Sequence, residues 1–332
     1  MYTVEFPKLG WSIEINPVAV SIGDFKIYWY GIIIGVGFLL ALVYAMSVLK
    51  RFGIKGDSFF DCVLIGMITG IIGARLYYVV FRWDYYSLHL DEIVMIHNGG
   101  LAIYGGIIGA LLGGCITAKY KKLPIPAVLD VAALGFLIGQ GLGRWGNFIN
   151  QEAFGTETSL PWGMVSENTG GVAVHPCFFY ESVWCILGFV LLHFFSKKFR
   201  KYDGQVFLLY IVWYGFERMI VEGLRTDSLY LPFGNIRVSQ LLAALTFVCG
   251  IVLLIVFRKR TKKAVCAADF SKSVVPSIKA EESEIHASYE KTNENDELDD
   301  ETEEKSSVIQ QELSEEAVQT DEIAAIGEDD GA

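Results

Sequence analysis

Seven stretches of this 332-residue chain, 27–49, 59–81, 99–118, 127–149, 177–195, 205–222 and 238–257, are almost wholly apolar. A helix needs roughly 20 apolar residues to cross the hydrocarbon layer of a membrane. Only helices and closed barrels satisfy every backbone N–H and C=O inside that layer, and uninterrupted runs of this length fit helices. The fold expected is all-α, a polytopic membrane protein with about seven transmembrane helices. The stretch 205–222 is the shortest and carries Glu217 and Arg218 near its end, so it meets the standard least well.

The connections set the orientation. Lys50, Arg51 and Lys55 follow the first stretch, and Lys119, Lys121 and Lys122 surround the end of the third. Lys197, Lys198, Arg200 and Lys201 follow the fifth, and Arg258, Lys259, Arg260, Lys262 and Lys263 the seventh. The alternate connections 83–98 and 150–176 contain acids but no Lys or Arg. Basic loops stay in the cytoplasm. The N-terminus is therefore expected outside and the C-terminus in the cytoplasm.

Charge also divides the chain. Residues 264–332 hold 21 of the 38 acidic residues and four lysines, a net of −17, whereas 1–263 set 17 acids against 23 Lys and Arg, a net of +6. A segment so charged and so poor in aromatics cannot bury a core. The domains expected are a membrane domain over 1–263 and a disordered acidic cytoplasmic tail over 264–332. Six cysteines, at 62, 115, 177, 185, 249 and 266, show no paired metal spacing, so neither a metal nor a disulfide scaffold is expected. Met1–Trp11 lacks a basic region followed by an apolar stretch, so no cleaved signal peptide is expected.

Inside the apolar stretches, Gly31/Gly35, Gly66/Gly70, Gly105/Gly109 and Gly109/Gly113 have the small-xxx-small spacing that lets membrane helices approach closely. Gly139, Gly141, Gly143 and Gly146 resemble a dinucleotide loop only superficially, because they end a membrane span instead of joining a strand to a helix. The ionisable groups are more telling, since charge inside a membrane is costly and usually functional. Arg75 lies six residues before Phe81, roughly 9 Å below the outer end of its span. Arg144, Glu181, Glu217 and Arg218 also fall toward the outer ends of theirs, and Tyr30 and Tyr104 open spans that enter from outside. Asp61, Asp130 and His193 belong to the inner side. Three intramembrane arginines, Arg75, Arg144 and Arg218, are in surplus over the acids within reach, of which Glu181 and Glu217 lie in the same leaflet. One reading is a structural ion-pair network with snorkelling arginines. The other is an anion pocket open to the outer leaflet, where a phospholipid headgroup lies and where the planar arginine fork suits phosphate.

The run Gly143-Arg144-Trp145-Gly146-Asn147-Phe148-Ile149-Asn150-Gln151-Glu152-Ala153-Phe154-Gly155 resembles the G-R-x-G-N-F-x-N-x-E-x-x-G signature of prolipoprotein diacylglyceryl transferases. Further blocks agree in order: Trp29-Tyr30-Gly31, Gly73-Ala74-Arg75-Leu76-Tyr77-Tyr78, Gly99 to Gly106, His175-Pro176 with Tyr180-Glu181, and Tyr214-Gly215-Phe216-Glu217-Arg218 followed by Glu222 and Arg225. The resemblance covers residues from about 17 to 260. One position departs: many members have His, proposed as a catalytic base, where this chain has Tyr104.

The resemblance implies transfer of the diacylglyceryl group of phosphatidylglycerol to the thiol of the lipobox cysteine in a prolipoprotein signal peptide, releasing glycerol phosphate, at the outer leaflet of the bacterial cytoplasmic membrane. The partners implied are those two substrates and the surrounding membrane lipids, with no nucleic acid and no cofactor. The nucleophile arrives on the substrate, so Cys177 and Cys185 are read as apolar filler. A free thiol has a pKa of about 8.5, so forming the thiolate at pH 7 costs only ~2 kcal/mol. The larger need is to stabilise the departing phosphate, a role assigned to Arg144 and Arg218. Tyr104, Glu152 and His175 remain open as the base. Tyr30, Arg75, Tyr78, Asn147, Gly155, His175 and Tyr214 are expected around the lipid, with Glu222 and Arg225 shaping the mouth.

Intramembrane arginines also serve transporters of anionic solutes. Against that, the charges gather toward one face, only Asp61 and Asp130 lie toward the inner leaflet, and the halves show no inverted repeat. A scaffold for other membrane proteins would leave the buried charges unexplained.

Overall fold

The computed structural model describes residues 1–260 apart from 24, 97–98, 229 and 231–235, so the tail expected over 264–332 lies outside the described residues. Every apolar stretch becomes a helix: α1 (Trp29–Val48), α2 (Gly56–Phe81), α4 (Ile103–Tyr120), α5 (Ile125–Asn150), α6 (Cys177–Lys198), α7 (Gln205–Leu224) and α8 (Val238–Arg260), with a single-turn α3 (Trp83–Tyr86) between α2 and α4. Turn residues explain the ends. Gly53 closes the turn after α1 at φ +67°, Gly204 precedes α7 at φ +89°, and Pro124, Pro126 and Pro176 mark helix starts. Gly99 and Gly100 have φ of +86° and +76°, so the third helix begins at Ile103 instead of 99.

Six of these helices, all but α7 and the single-turn α3, are long and apolar enough to cross a membrane. The protein is a mostly helical, multi-pass membrane protein. Helix α7 has the length, but Glu217, Arg218 and Glu222 lower its apolarity; Glu217 and Glu222 are buried, and Arg218 pairs with Glu222 and with Glu181 of α6.

Helix α5 is the centre of the bundle, packed against α1, α6 and α7, and Ala127, Val131, Ala133, Leu134 and Leu137 on it are fully buried. Glycine decides the α2–α4 contact. A Cβ on Gly73 would stand 2.5 Å from the Gly105 carbonyl oxygen, one on Gly105 2.3 Å from that of Gly73, and one on Gly109 2.3 Å from that of Thr69. These backbones touch as the glycine spacing predicts. Gly31 and Gly35 do not: nothing lies within 4 Å of either added Cβ, so that pair packs no helix here.

One end of the bundle gathers the basic connections. Asp130 of α5, fully buried, accepts the N–H groups of Gly204 (2.9 Å) and Phe207 (2.8 Å) at the start of α7 and pairs with Arg200 at 3.6 Å. Four free N–H groups begin every helix, and here a carboxylate from another helix satisfies two of them. Arg200 lies over the Phe52 ring, and Lys121 pairs with Asp61 at 2.6 Å.

The opposite end carries a head that the apolar pattern did not announce. Two antiparallel hairpins precede α1, β1 (Tyr2–Phe6) with β2 (Trp11–Ile15) and β3 (Val18–Ile22) with β4 (Phe25–Tyr28). Glu5 exchanges both backbone bonds with Val165, at 2.8 Å each, joining the first hairpin to the long connection between α5 and α6. Val4, Ile15, Met164, Val174 and Phe178 make its small core. The Thr3 amide donates to Glu167, which holds that carboxyl below the usual carboxylate range.

Candidate active site

Helices α5 and α7 both run toward the head, and each delivers an arginine in its last two turns. Helix α6 starts at the head and delivers Glu181 in its second turn. Its side chain is 1% exposed and meets three arginines. Arg144 Nη2 pairs with Oε2, Arg218 Nη1 lies 3.3 Å from both oxygens, and Arg225 Nη1 lies 3.8 Å from Oε1. Each arginine keeps another partner. Arg144 Nη1 donates to Asn147 Oδ1 at 3.4 Å, and Arg218 Nη2 lies 2.6 Å from Glu222 Oε2, one turn along α7. Arg225 grips Asp227 with two bonds of 2.9 and 2.7 Å. That grip holds the Asp227 carboxyl below the usual carboxylate range.

The expected surplus of arginine is thus not what the structure contains. No arginine of the cluster lacks an acid; three share one. Arg75 stands apart and is satisfied by backbone. Its guanidinium donates to the carbonyls of Glu92, Ile93, Met95, Gly99 and Gly100 at 2.7–3.4 Å, between the rings of Tyr78 and Tyr86. A Cβ on Gly100 would stand 2.5 Å from Arg75 Nη1, so this glycine is what lets the guanidinium reach the turn. Arg75 and Tyr78 line a separate cavity of about 240 Å³ and shape the connection before α4; they do not join the arginine cluster.

A cavity of about 520 Å³ opens beside the cluster, between α1, α2, α4, α5 and α7. Arg144, Asn147 and Tyr30 line one end, Gln140, Tyr210 and Tyr214 stand along it, and the far end is apolar, with Ala45, Phe59 and Val63. Arg218 and Arg225 do not line it; they back Glu181. Tyr30 lies against α5 where Gly146 leaves room, since a Cβ there would meet its ring at 2.4 Å.

The candidate bases separate. Glu152 is exposed and accepts from Asn147 Nδ2 at 2.8 Å, which completes a chain from Arg144 through Asn147 to Glu152. It sits between Gln151 and Ala153, whose φ values of +52° and +58° are left-handed, a strained conformation for non-glycine residues. The Tyr104 hydroxyl is hydrogen-bonded to Ser239 at 3.1 Å, joining α4 to α8. His175 Nδ1 lies 3.2 Å from the Tyr180 hydroxyl, which in turn accepts from Trp162. Gly155 is a packing position. A Cβ there would fall 2.7 Å from the His175 Cβ and 2.9 Å from Cys177 Sγ, and its backbone bridges to Arg225. Glu222 accepts from Ser228 at 2.8 Å, and its carbonyl accepts from Arg237.

The sequence marks Glu181 as an intramembrane acid within the Tyr180-Glu181 block but does not assign it the centre of the cluster. Sequence reasoning passed over Gln140, a single amide in an apolar span, and Arg237, which precedes the last span.

The sequence profile described as "Prolipoprotein diacylglyceryl transferase" matches residues 17–256. A protein of Finegoldia magna named phosphatidylglycerol–prolipoprotein diacylglyceryl transferase is 44% identical over 250 residues, 75% of this chain and 99% of that one. Proteins of the same name from Limosilactobacillus reuteri and Bacillus mycoides are each 43% identical, over 263 and 260 residues, covering 76% of this chain and 94% and 95% of theirs.

Proposed function

This chain belongs to the prolipoprotein diacylglyceryl transferase family, and from that premise we propose that it moves the diacylglyceryl group of phosphatidylglycerol onto the thiol of a prolipoprotein's lipobox cysteine. The observation that carries the reading is Arg144, a cation on a buried ion-pair network, at the polar end of a long apolar cavity. A phospholipid needs that pairing: a fixed positive charge for its phosphate and an apolar space for its chains.

The reaction follows from these groups. The lipid phosphate sits at Arg144 and Asn147, and Glu152 takes the proton of the peptide thiol. The thiolate sulfur attacks the glycerol carbon that bears the phosphate. A C–S bond forms, the C–O bond breaks, and the oxygen leaves with the electron pair as glycerol phosphate. Arg144 acts by preorganised charge in a water-poor site, and Arg218 and Arg225 supply further positive field through Glu181. Phosphate arriving at Arg144 gives that arginine a second anion beside Glu181. Tyr104, tied to Ser239, and His175, tied to Tyr180, fit positioning better than proton transfer.

The head and the arginine cluster lie at the end away from the basic connections. By the positive-inside rule that end belongs to the outer leaflet of the cytoplasmic membrane, where lipoprotein precursors emerge. An anionic-solute transporter finds less support, because the far end of the cavity is apolar. Incubating the purified protein with phosphatidylglycerol vesicles and a lipobox peptide tests the proposal. Release of glycerol phosphate that depends on the peptide is expected; release without the peptide, or none with it, rejects it.

A further inference from the structure

Two helices repeat the same arrangement beside the cavity. One turn from Arg144 on α5 stands Gln140, and one turn from Arg218 on α7 stands Tyr214, with Tyr210 a turn beyond. Residues four apart share a helix face, and four residues rise about 6 Å. All three side chains line the cavity, in a wall otherwise made of groups such as Phe38, Ile107 and Phe136.

Their hydrogen bonding is incomplete. Gln140 Nε2 donates to the Tyr210 hydroxyl at 2.9 Å, while Gln140 Oε1 is buried with no partner among the described residues. Tyr210 accepts that bond and keeps its own O–H to give. The Tyr214 ring stacks on that of Tyr210 at 5.9 Å, and no hydrogen bond to its hydroxyl occurs among the described residues. Buried donors in native proteins are nearly always bonded, so the second N–H of Gln140 and the two hydroxyls in an apolar wall call for an acceptor, which satisfies them and not Gln140 Oε1.

We infer that Gln140, Tyr210 and Tyr214 form a subsite for the ester carbonyls of the diacylglyceryl group. The inference rests on the phosphate of that lipid sitting at Arg144. In a diacyl phospholipid the ester groups hang from the other two glycerol carbons, and the nearer lies about one helical turn (~5 Å) deeper than the phosphate. Three donors stand at and below that level: the second N–H of the Gln140 amide and the two tyrosine hydroxyls. Ester carbonyls accept and cannot donate, and the donors left over match them. The subsite fixes how far the glycerol unit enters, and so where the reacting carbon stands relative to Arg144. It also makes the enzyme a reader of the ester linkage as well as of the headgroup.

The test compares phosphatidylglycerol whose two chains are ester-linked with its dialkyl ether counterpart. The two are matched in chain length and offered at equal mole fraction in the same micelles with the same lipobox peptide. The wild-type protein is expected to favour the ester lipid by about tenfold in kcat/KM, the factor of one hydrogen bond to a buried donor. Gln140→Leu and the near-isosteric Tyr214→Phe should each slow the ester lipid more than the ether lipid, narrowing the ratio to about twofold or less. Equal wild-type turnover of both lipids overturns the inference and leaves the proposed reaction intact. A full ester preference retained in both variants also overturns it. Turnover of neither lipid by the wild-type protein would instead reject the reaction itself.

Discussion

Glu181 is shared by three guanidinium groups, and because Arg218 also pairs with Glu222 and Arg225 with Asp227, Arg144 is the one of the three with no second carboxylate among the described residues. Removing one partner from a buried pair strands the other charge at a cost of about 3–5 kcal/mol, so the triad is held as a unit. Arg144 alone of the three reaches the cavity, and its contact with Asn147 passes on to Glu152. The thiol to be ionised is weakly acidic already, so the base is a modest part of the barrier. Glu152→Gln should therefore lower turnover at pH 7 by about 30-fold at most, the factor that ionising a thiol of pKa about 8.5 sets at that pH. The loss should shrink as pH rises through about 8.5 and the peptide thiol ionises unaided. A pH–rate profile of the variant on a lipobox peptide checks this; a deficit as large at pH 9 as at pH 7 would remove Glu152 from the role.

At the scale of elements, glycine and a few capping groups decide how the helices meet. The approach of α2 to α4 leaves no room for a Cβ at Gly105, so Gly105→Ala should force the helices apart at a cost of about 1–3 kcal/mol. Gly35→Ala meets open space and should not lower stability, and thermal unfolding in detergent compares the two. The end of α7 is tied by Arg225 to Asp227, whose carboxyl is held below its ordinary range by that guanidinium. A carboxylate with a depressed pKa stabilises the fold above the unfolded value, near 3.9, and loses that contribution as pH falls through the lowered one. The tie is thus intact from pH 5 to 8. Asp227→Asn should reduce activity by a constant factor across that window, and a profile that changes shape there would contradict it.

Across the whole molecule, what could be read in advance followed the physics of the solvent. Apolar length gave the helices, including α7, because a span that carries Glu217, Arg218 and Glu222 still folds as a helix when Arg218 pairs with Glu181 and Glu222 inside the bundle. Short strands gave no such signal: β1 pairs with β2 and is anchored by Val165 and Glu167, more than 150 residues away. The place of Arg75 six residues before the end of α2 was legible, but its partners were not, because backbone carbonyls leave no trace in a pattern of side chains. The same holds for Glu181, whose sharing among three arginines depends on how α5, α6 and α7 meet. Since the cavity and the cluster lie within residues 1–260, a chain ending after Lys263 should keep full activity in the lipobox-peptide assay, and a marked loss would assign the acidic segment a part in the chemistry.

Arg144 is where the ion-pair network, the cavity and the family signature coincide. The most direct measurement is the rate at which purified protein forms the thioether-linked diacylglyceryl peptide from phosphatidylglycerol, in wild-type protein and in Arg144→Ala. Loss of one preorganised donor to the developing phosphate charge should lower that rate about 100–1,000-fold in protein that still folds. A folded Arg144→Ala protein that works at nearly the wild-type rate would contradict the account.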